Sequence, residues 1–152
     1  MPADPRAFLR ELLKVAVESV HPQRCVPDHL PAPPSGETVL IAAGKAATAM
    51  AQVVEDRWEG PLHGLAITRE GHAEPCRQVD VHEAAHPFPD ARGVHATWRA
   101  LDLARRAGPE DLVLFLLSGG ASSLLCQPPP GLTLGLLAEL TAELIVAGTP
   151  ID

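Results

Sequence analysis

Cysteine is scarce in this 152-residue chain: Cys25, Cys76 and Cys126 lie far apart, with no CxxC spacing and no even count to pair. That excludes a disulfide framework and fits a reducing compartment. Long apolar runs are lacking too. The longest, such as Leu112–Leu117, fall far short of a membrane span, so a membrane partner is not expected. The opening Met1–Arg6 carries no basic stretch followed by an apolar one, so no export signal is read there. A cytoplasmic location is expected. Lys and Arg number 12 against 19 Asp and Glu, giving a net charge of -7, and no basic stripe forms. Nucleic acid is therefore a poor partner. An anionic ligand would need locally placed cations or backbone N–H groups, because the overall field repels it.

Three catalytic signatures are missing as well. GxxxxGK[ST] and GxGxxG do not occur, so neither a Walker A loop nor the usual dinucleotide fingerprint is present. GxSxG is absent, which removes the serine-hydrolase elbow.

What remains is a strand–helix alternation. Asp4-Pro5 reads as the cap and first position of a helix whose stripe is Phe8, Leu9, Leu12, Leu13, Ala16, Val17 and Val20, ending at His21-Pro22. Pro27–Gly36 is a proline-rich connector, and residues 1–36 are expected to dock as an extension on the rest of the chain. Thr38–Ala43 and Leu112–Leu117 are uninterrupted apolar runs, as in strands covered on both faces. Leu62–Thr68 and a short alternating stretch at Val79–Glu83 supply two more strands. Helices are expected over Ala46–Trp58, over Ala91–Ala107 capped by Asp90, and from a Thr133 cap to about Ala147 with Gly148 closing it. The pattern predicts an α/β fold: a Rossmann-like, open, mainly parallel sheet with helices on both faces. The whole of 1–152 reads as one such domain, incomplete at its C-terminus, since Thr149–Asp152 brings no closing element.

Two glycine turns follow strands, where open α/β sheets bind ligands. In Gly44-Lys45 the lysine sits in the first helical turn, a position the helix dipole disfavours for a cation, which suggests it is kept for an anion; a tight turn with a solvated lysine is the equally weighted alternative. Ser118-Gly119-Gly120-Ala121-Ser122 offers adjacent glycines and hydroxyls for phosphate or carboxylate oxygens. Free N–H groups are expected at both turns. His82-Glu83-Ala84-Ala85-His86 matches HExxH in letters only. It follows an alternating strand and runs into Pro87 and Pro89, so the helix that zinc binding needs is not expected and no metal ligand is assigned.

Three segments taken together, Gly44-Lys45-Ala46-Ala47, Glu83–Asp90 and Leu117–Ser122, occur in this order in the glycerate 2-kinases with a C-terminal MOFRL region, and the chain resembles their N-terminal domain from its first helix to Gly148. The resemblance implies ATP-dependent phosphorylation of D-glycerate to 2-phosphoglycerate, with Mg²⁺ as the metal. It implies Lys45 as the catalytic residue, and Gly44, Ser118, Gly119, Gly120, Ser122, His86 and Asp90 as substrate or phosphate ligands, with Asp90 also capping a helix. The sequence departs from the pattern at Ala121, where the family has a third glycine, and at Ser123, where alanine is usual. The name hydroxypyruvate reductase also occurs in the family. That activity needs a nicotinamide site, against which stand the missing GxGxxG and Thr68-Arg69 in place of an acidic residue. A fragment without activity, or a binding module, is the third reading. A homodimer is compatible with the chain.

Overall fold

A computed structural model describes residues 4–149. The Met1–Ala3 part of the export-signal reading and the Pro150–Asp152 part of the tail lie outside the described residues. In chain order the elements are α1 (Pro5–Ser19), α2 (Pro22–Cys25), a 3-10 turn (Pro27–His29), β1 (Thr38–Ala43), α3 (Ala47–Arg57), β2 (Leu62–Arg69), β3 (Val79–Ala84), α4 (Ala91–Arg106), β4 (Leu112–Leu117), α5 (Ala121–Leu124) and α6 (Leu134–Val146).

The four strands form one sheet in the order β3-β2-β1-β4, and every pair is parallel. The uninterrupted apolar run of β1 has a simple cause. Val39 and Ile41 pack with Leu65, Ile67, Ala96 and Ala100 on the α4 face, while Leu40 and Ala42 pack with Ala47, Ala51 and Val54 on the α3 face. Both faces of the strand are dry, so neither can be polar. β4 differs: Val113, Phe115 and Leu117 stay exposed, Leu117 at 60%. It lies at the sheet edge, and α4 covers only the strands on its other side.

The docking expected of residues 1–36 is carried by the connector rather than the helix. Val26 and Leu30 pack against the α3 face of the core. Helix α1, capped as expected by Asp4 accepting from the Arg6 N–H at 2.9 Å, keeps Phe8, Leu9, Leu12 and Leu13 exposed. No residue of α1 is buried by the other described residues. No helix among the described residues is long and apolar enough to cross a membrane.

The start of β3 is held by a buried acid. Glu55 of α3 is 2% exposed in its side chain, and its carboxylate accepts from the backbone N–H groups of Arg77 (2.9 Å), Gln78 (2.7 Å) and Val79 (3.1 Å). Alanine there would leave three donors without an acceptor. Glu55→Ala is expected to lower stability by about 3 kcal/mol, read as a fall in the urea midpoint at constant slope.

Candidate active site at the strand ends

The chain crosses from one side of β1 to the other between β3 and β4, so the switch point of the sheet lies between β1 and β4. Ala43 pairs with Leu117 at the last register position, which sets Gly44 and Ser118 side by side. The two turns interlock. Ser118 N–H donates to the Ala43 carbonyl at 2.9 Å, Lys45 N–H to the Gly119 carbonyl at 3.0 Å, and Ala46 N–H to Ser118 Oγ at 3.0 Å. Gly44 N–H donates to Ile67 of β2 at 3.0 Å.

That network corrects one expectation. The first turn does not present free N–H groups to a ligand, because β1 is flanked by β2 and β4 and the turn pairs with both. Its contribution to the crevice is the exposed Lys45 side chain, which makes no ion pair among the described residues. Ser118 braces the two turns through its hydroxyl. The unused donors belong to the second turn, where the N–H groups of Gly119, Gly120 and Ser122 meet no protein acceptor among the described residues, and the Ser122 hydroxyl is exposed and unpaired.

Gly120 is the meeting point. It takes φ +90°, and a Cβ there would lie 2.8 Å from Cδ2 and Nε2 of His86 and 3.4 Å from Cε of Lys45. The residue in the left-handed region is thus Gly120, and Ala121, which replaces the family's third glycine, begins α5 without positive φ. Ser123 also gains a reason: it is buried, and its hydroxyl donates to the Gly120 carbonyl at 3.2 Å, closing the turn from beneath.

His86 follows β3, and its peptide bond to Pro87 is cis. Burial, then the charge of Lys45, then that of Arg69 hold its imidazole below the usual 6.5. The neutral ring is therefore favoured in the fold. Its stabilising contribution is fully present above about pH 6.5 and is lost as pH falls through the depressed native value. Lys45→Met is expected to raise the His86 midpoint, because it removes a cation. A proton NMR titration of the ring measures this, and an unmoved midpoint would remove the charge contact.

Asp90 is placed differently from the other candidates. It caps α4, accepting from Gly93 N–H at 2.9 Å, and receives Arg92 Nε at 2.7 Å. Burial pushes its carboxyl up, but the Gly93 amide, Arg92 and the Ala85 amide outweigh it, leaving the carboxyl below its ordinary value. The HExxH letters start in β3 and end in the loop beyond it, with no helix, and His82 Nε2 is held 2.6 Å from Arg99 Nη1.

A cavity of about 810 Å³ opens over these groups. Lys45, His86, Gly120 and Ser122 form its polar end, and Leu137, Leu144 and Ile145 of α6 an apolar wall. Sequence reasoning assigned no role to Arg69, at the end of β2, whose charge reaches His86. Its only signal in the sequence is a cation at the end of a largely apolar strand. The groups at the polar end are cations, amides and a hydroxyl, with no carboxylate among the lining residues. They suit the phosphates of ATP or the carboxylate of a small acid. They do not fit Mg²⁺, which takes oxygen ligands, commonly carboxylates.

The chain is similar to several known proteins. A "Putative hydroxypyruvate reductase" of Agrobacterium vitis is 38% identical over 97% of this chain and 34% of its own length. A D-glycerate 2-kinase of Thermotoga maritima is 37% identical over 98% of this chain and 37% of its own length. The crystal structure of a glycerate kinase from Thermotoga maritima superposes with a TM-score of 0.80 at 33% identity, covering 97% of this chain and 37% of that one. The chain thus spans about a third of the length of the curated relatives it matches. A family model described as a domain of unknown function, DUF4147, matches residues 8–152. The chain belongs to the DUF4147 family.

Proposed function

We propose that this chain supplies half of the active site of a kinase that transfers the γ-phosphoryl group of ATP to D-glycerate, giving 2-phosphoglycerate. The observation that carries this reading is the convergence of the Lys45 and His86 side chains on Gly120, beside the unused amides of the second turn. Phosphoryl transfer asks mainly for positioning and for positive charge around the transferring oxygens. Lys45 supplies that charge from a crevice whose floor is fixed by the interlocked turns. The amides of Gly119, Gly120 and Ser122, with the Ser122 hydroxyl, donate to oxyanions of the reactants. His86 is unprotonated at neutral pH and stands ready to accept the proton of the attacking hydroxyl. Asp90 acts at a distance, holding the start of α4 and with it the His86–Asp90 loop.

The reductase reading draws on the names of some relatives. Against it, the residue closing β2 is Arg69, where a ribose-binding carboxylate would be needed for a nicotinamide cofactor. A coupled assay decides between them. ADP formation that depends on D-glycerate supports the kinase, and oxidation of NADH by hydroxypyruvate would replace it.

A further inference from the structure

Of the two reactants in the proposed transfer, D-glycerate fills only part of the cavity over the glycine turns. At the roughly 30 Å³ that each water takes in the liquid, its three carbons and four oxygens would occupy about 200 Å³. The cavity holds about 810 Å³. The acid also has the wrong chemistry for one side of that space. Each of its carbons bears an oxygen, and oxygens pressed against aliphatic side chains lose their hydrogen bonds to water without replacement.

That side is α6. Leu137, Thr141, Leu144 and Ile145 fall on one face of the helix, at steps of four, seven and eight residues, and all line the cavity. Thr141 is the polar member of the face, and its hydroxyl is spent within the helix, donating to the Leu137 carbonyl at 2.8 Å. The face is therefore apolar. Yet Leu144 is 46% and Ile145 51% exposed, and no residue of α6 is buried. Pro87 and Pro89, from the loop that carries His86, add further apolar lining. At the polar end, Lys45 and the unused amides of Gly120 and Ser122 call for oxyanions. A ligand that uses the whole space thus needs an anionic end and an apolar body. Of the two reactants only the nucleotide has both, since the faces of its base are π surfaces that pack on apolar side chains.

We infer that the face of α6 formed by Leu137, Leu144 and Ile145 is the base-binding wall of this crevice, packing against the adenine of ATP or ADP while the phosphates meet Lys45 and the second turn. The inference rests on the kinase reading for the identity of the nucleotide.

Calorimetric titration of ADP and, separately, of inorganic pyrophosphate tests it on wild-type protein, the double variant Leu144→Gln/Ile145→Gln, and Leu136→Gln. The double variant is neutral, so the charge at the polar end is unchanged. It is expected to weaken ADP at least about tenfold and to leave pyrophosphate, which has no base, unmoved. Retained pyrophosphate binding also shows that the site is folded. Leu136 is on α6 and equally exposed but does not line the cavity, so Leu136→Gln should bind ADP like wild type. Because the replaced side chains are exposed, the melting temperature of the double variant should stay within about 2 °C of wild type. Equal ADP affinities in wild type and the double variant, an equal loss in Leu136→Gln, weakening of pyrophosphate in step with ADP, or failure of wild type to bind either probe would each overturn the inference. ADP binding that depends on the wall, without glycerate-dependent ADP formation, would sink the kinase reading and leave the inference standing. Glycerate-dependent ADP formation with a KM for ATP unchanged in the double variant would do the opposite.

Discussion

Replacing Lys45 with alanine is expected to lower D-glycerate-dependent ADP formation by about 10²–10³-fold while leaving the fold intact. The fold should survive because everything structural about residue 45 resides in its backbone. Its N–H donates to the Gly119 carbonyl, which alanine preserves, and its side chain is exposed and makes no ion pair among the described residues. Lys45 also lies outside α3, which starts at Ala47 with Ala46 as its cap, and not in the first helical turn as the sequence suggested, so the helix does not depend on its side chain. The loss should appear in kcat, because charge on the transferring phosphoryl oxygens is felt most in the transition state. Turnover like wild type, with an unchanged melting temperature, would sink the role given to Lys45.

Gly44→Ala should do the reverse and damage the fold, lowering stability by about 2–5 kcal/mol. Gly44 takes φ +120°, and a Cβ would collide with Oγ and the carbonyl of Ser118. Strained backbone costs about 1–3 kcal/mol and overpacking a similar amount. Ser118 has little room to yield, since its N–H is bonded to Ala43 and its Oγ to the Ala46 N–H. Gly119→Ala is the matched control. It lies one residue past that serine, and a Cβ there would meet nothing within 4 Å at an ordinary φ. A change within about 0.5 kcal/mol is expected there. Denaturant unfolding of both variants measures the contrast, and equal midpoints would refute this account of the interlock.

β1 was legible in the sequence because burial on both faces leaves an uninterrupted apolar run, and β4 because its run is equally apolar although one of its faces stays exposed. Thr38–Ala43 and Leu112–Leu117 coincide with β1 and β4 residue for residue, and β2 and β3 each extend one residue further than the pattern suggests. The caps at Asp4, Asp90 and Thr133 were legible because one side chain serves a nearby N–H, a local relation. Helix α2 was not, since a single turn at Pro22–Cys25 has no periodicity to read. The exposed state of α1 was hidden for a different reason. An apolar stripe states that a helix can be covered, and says nothing of whether a covering surface is at hand.

The site was legible only in part, for the same physical reason. Motifs named Lys45, His86, Gly120 and Ser122, which the cavity does bring together. They did not reveal that the donors of the Gly44 turn are taken by Ile67, Gly119 and Ser118, because that depends on which strands are neighbours.

The interlock of the two turns also bears on how such a crevice could be altered. With β1, β2 and β4 tied together by the Ile67–Gly44, Ala43–Ser118 and Lys45–Gly119 bonds, the floor behaves as a single casting. A change to residue 44 or 118 disturbs both turns at once, so neither is a place to tune selectivity. The exposed Ser122 and the α6 residues along the opposite wall carry no such ties. Adaptation of this scaffold to a longer or bulkier ligand would therefore proceed by resurfacing the wall over an unchanging floor.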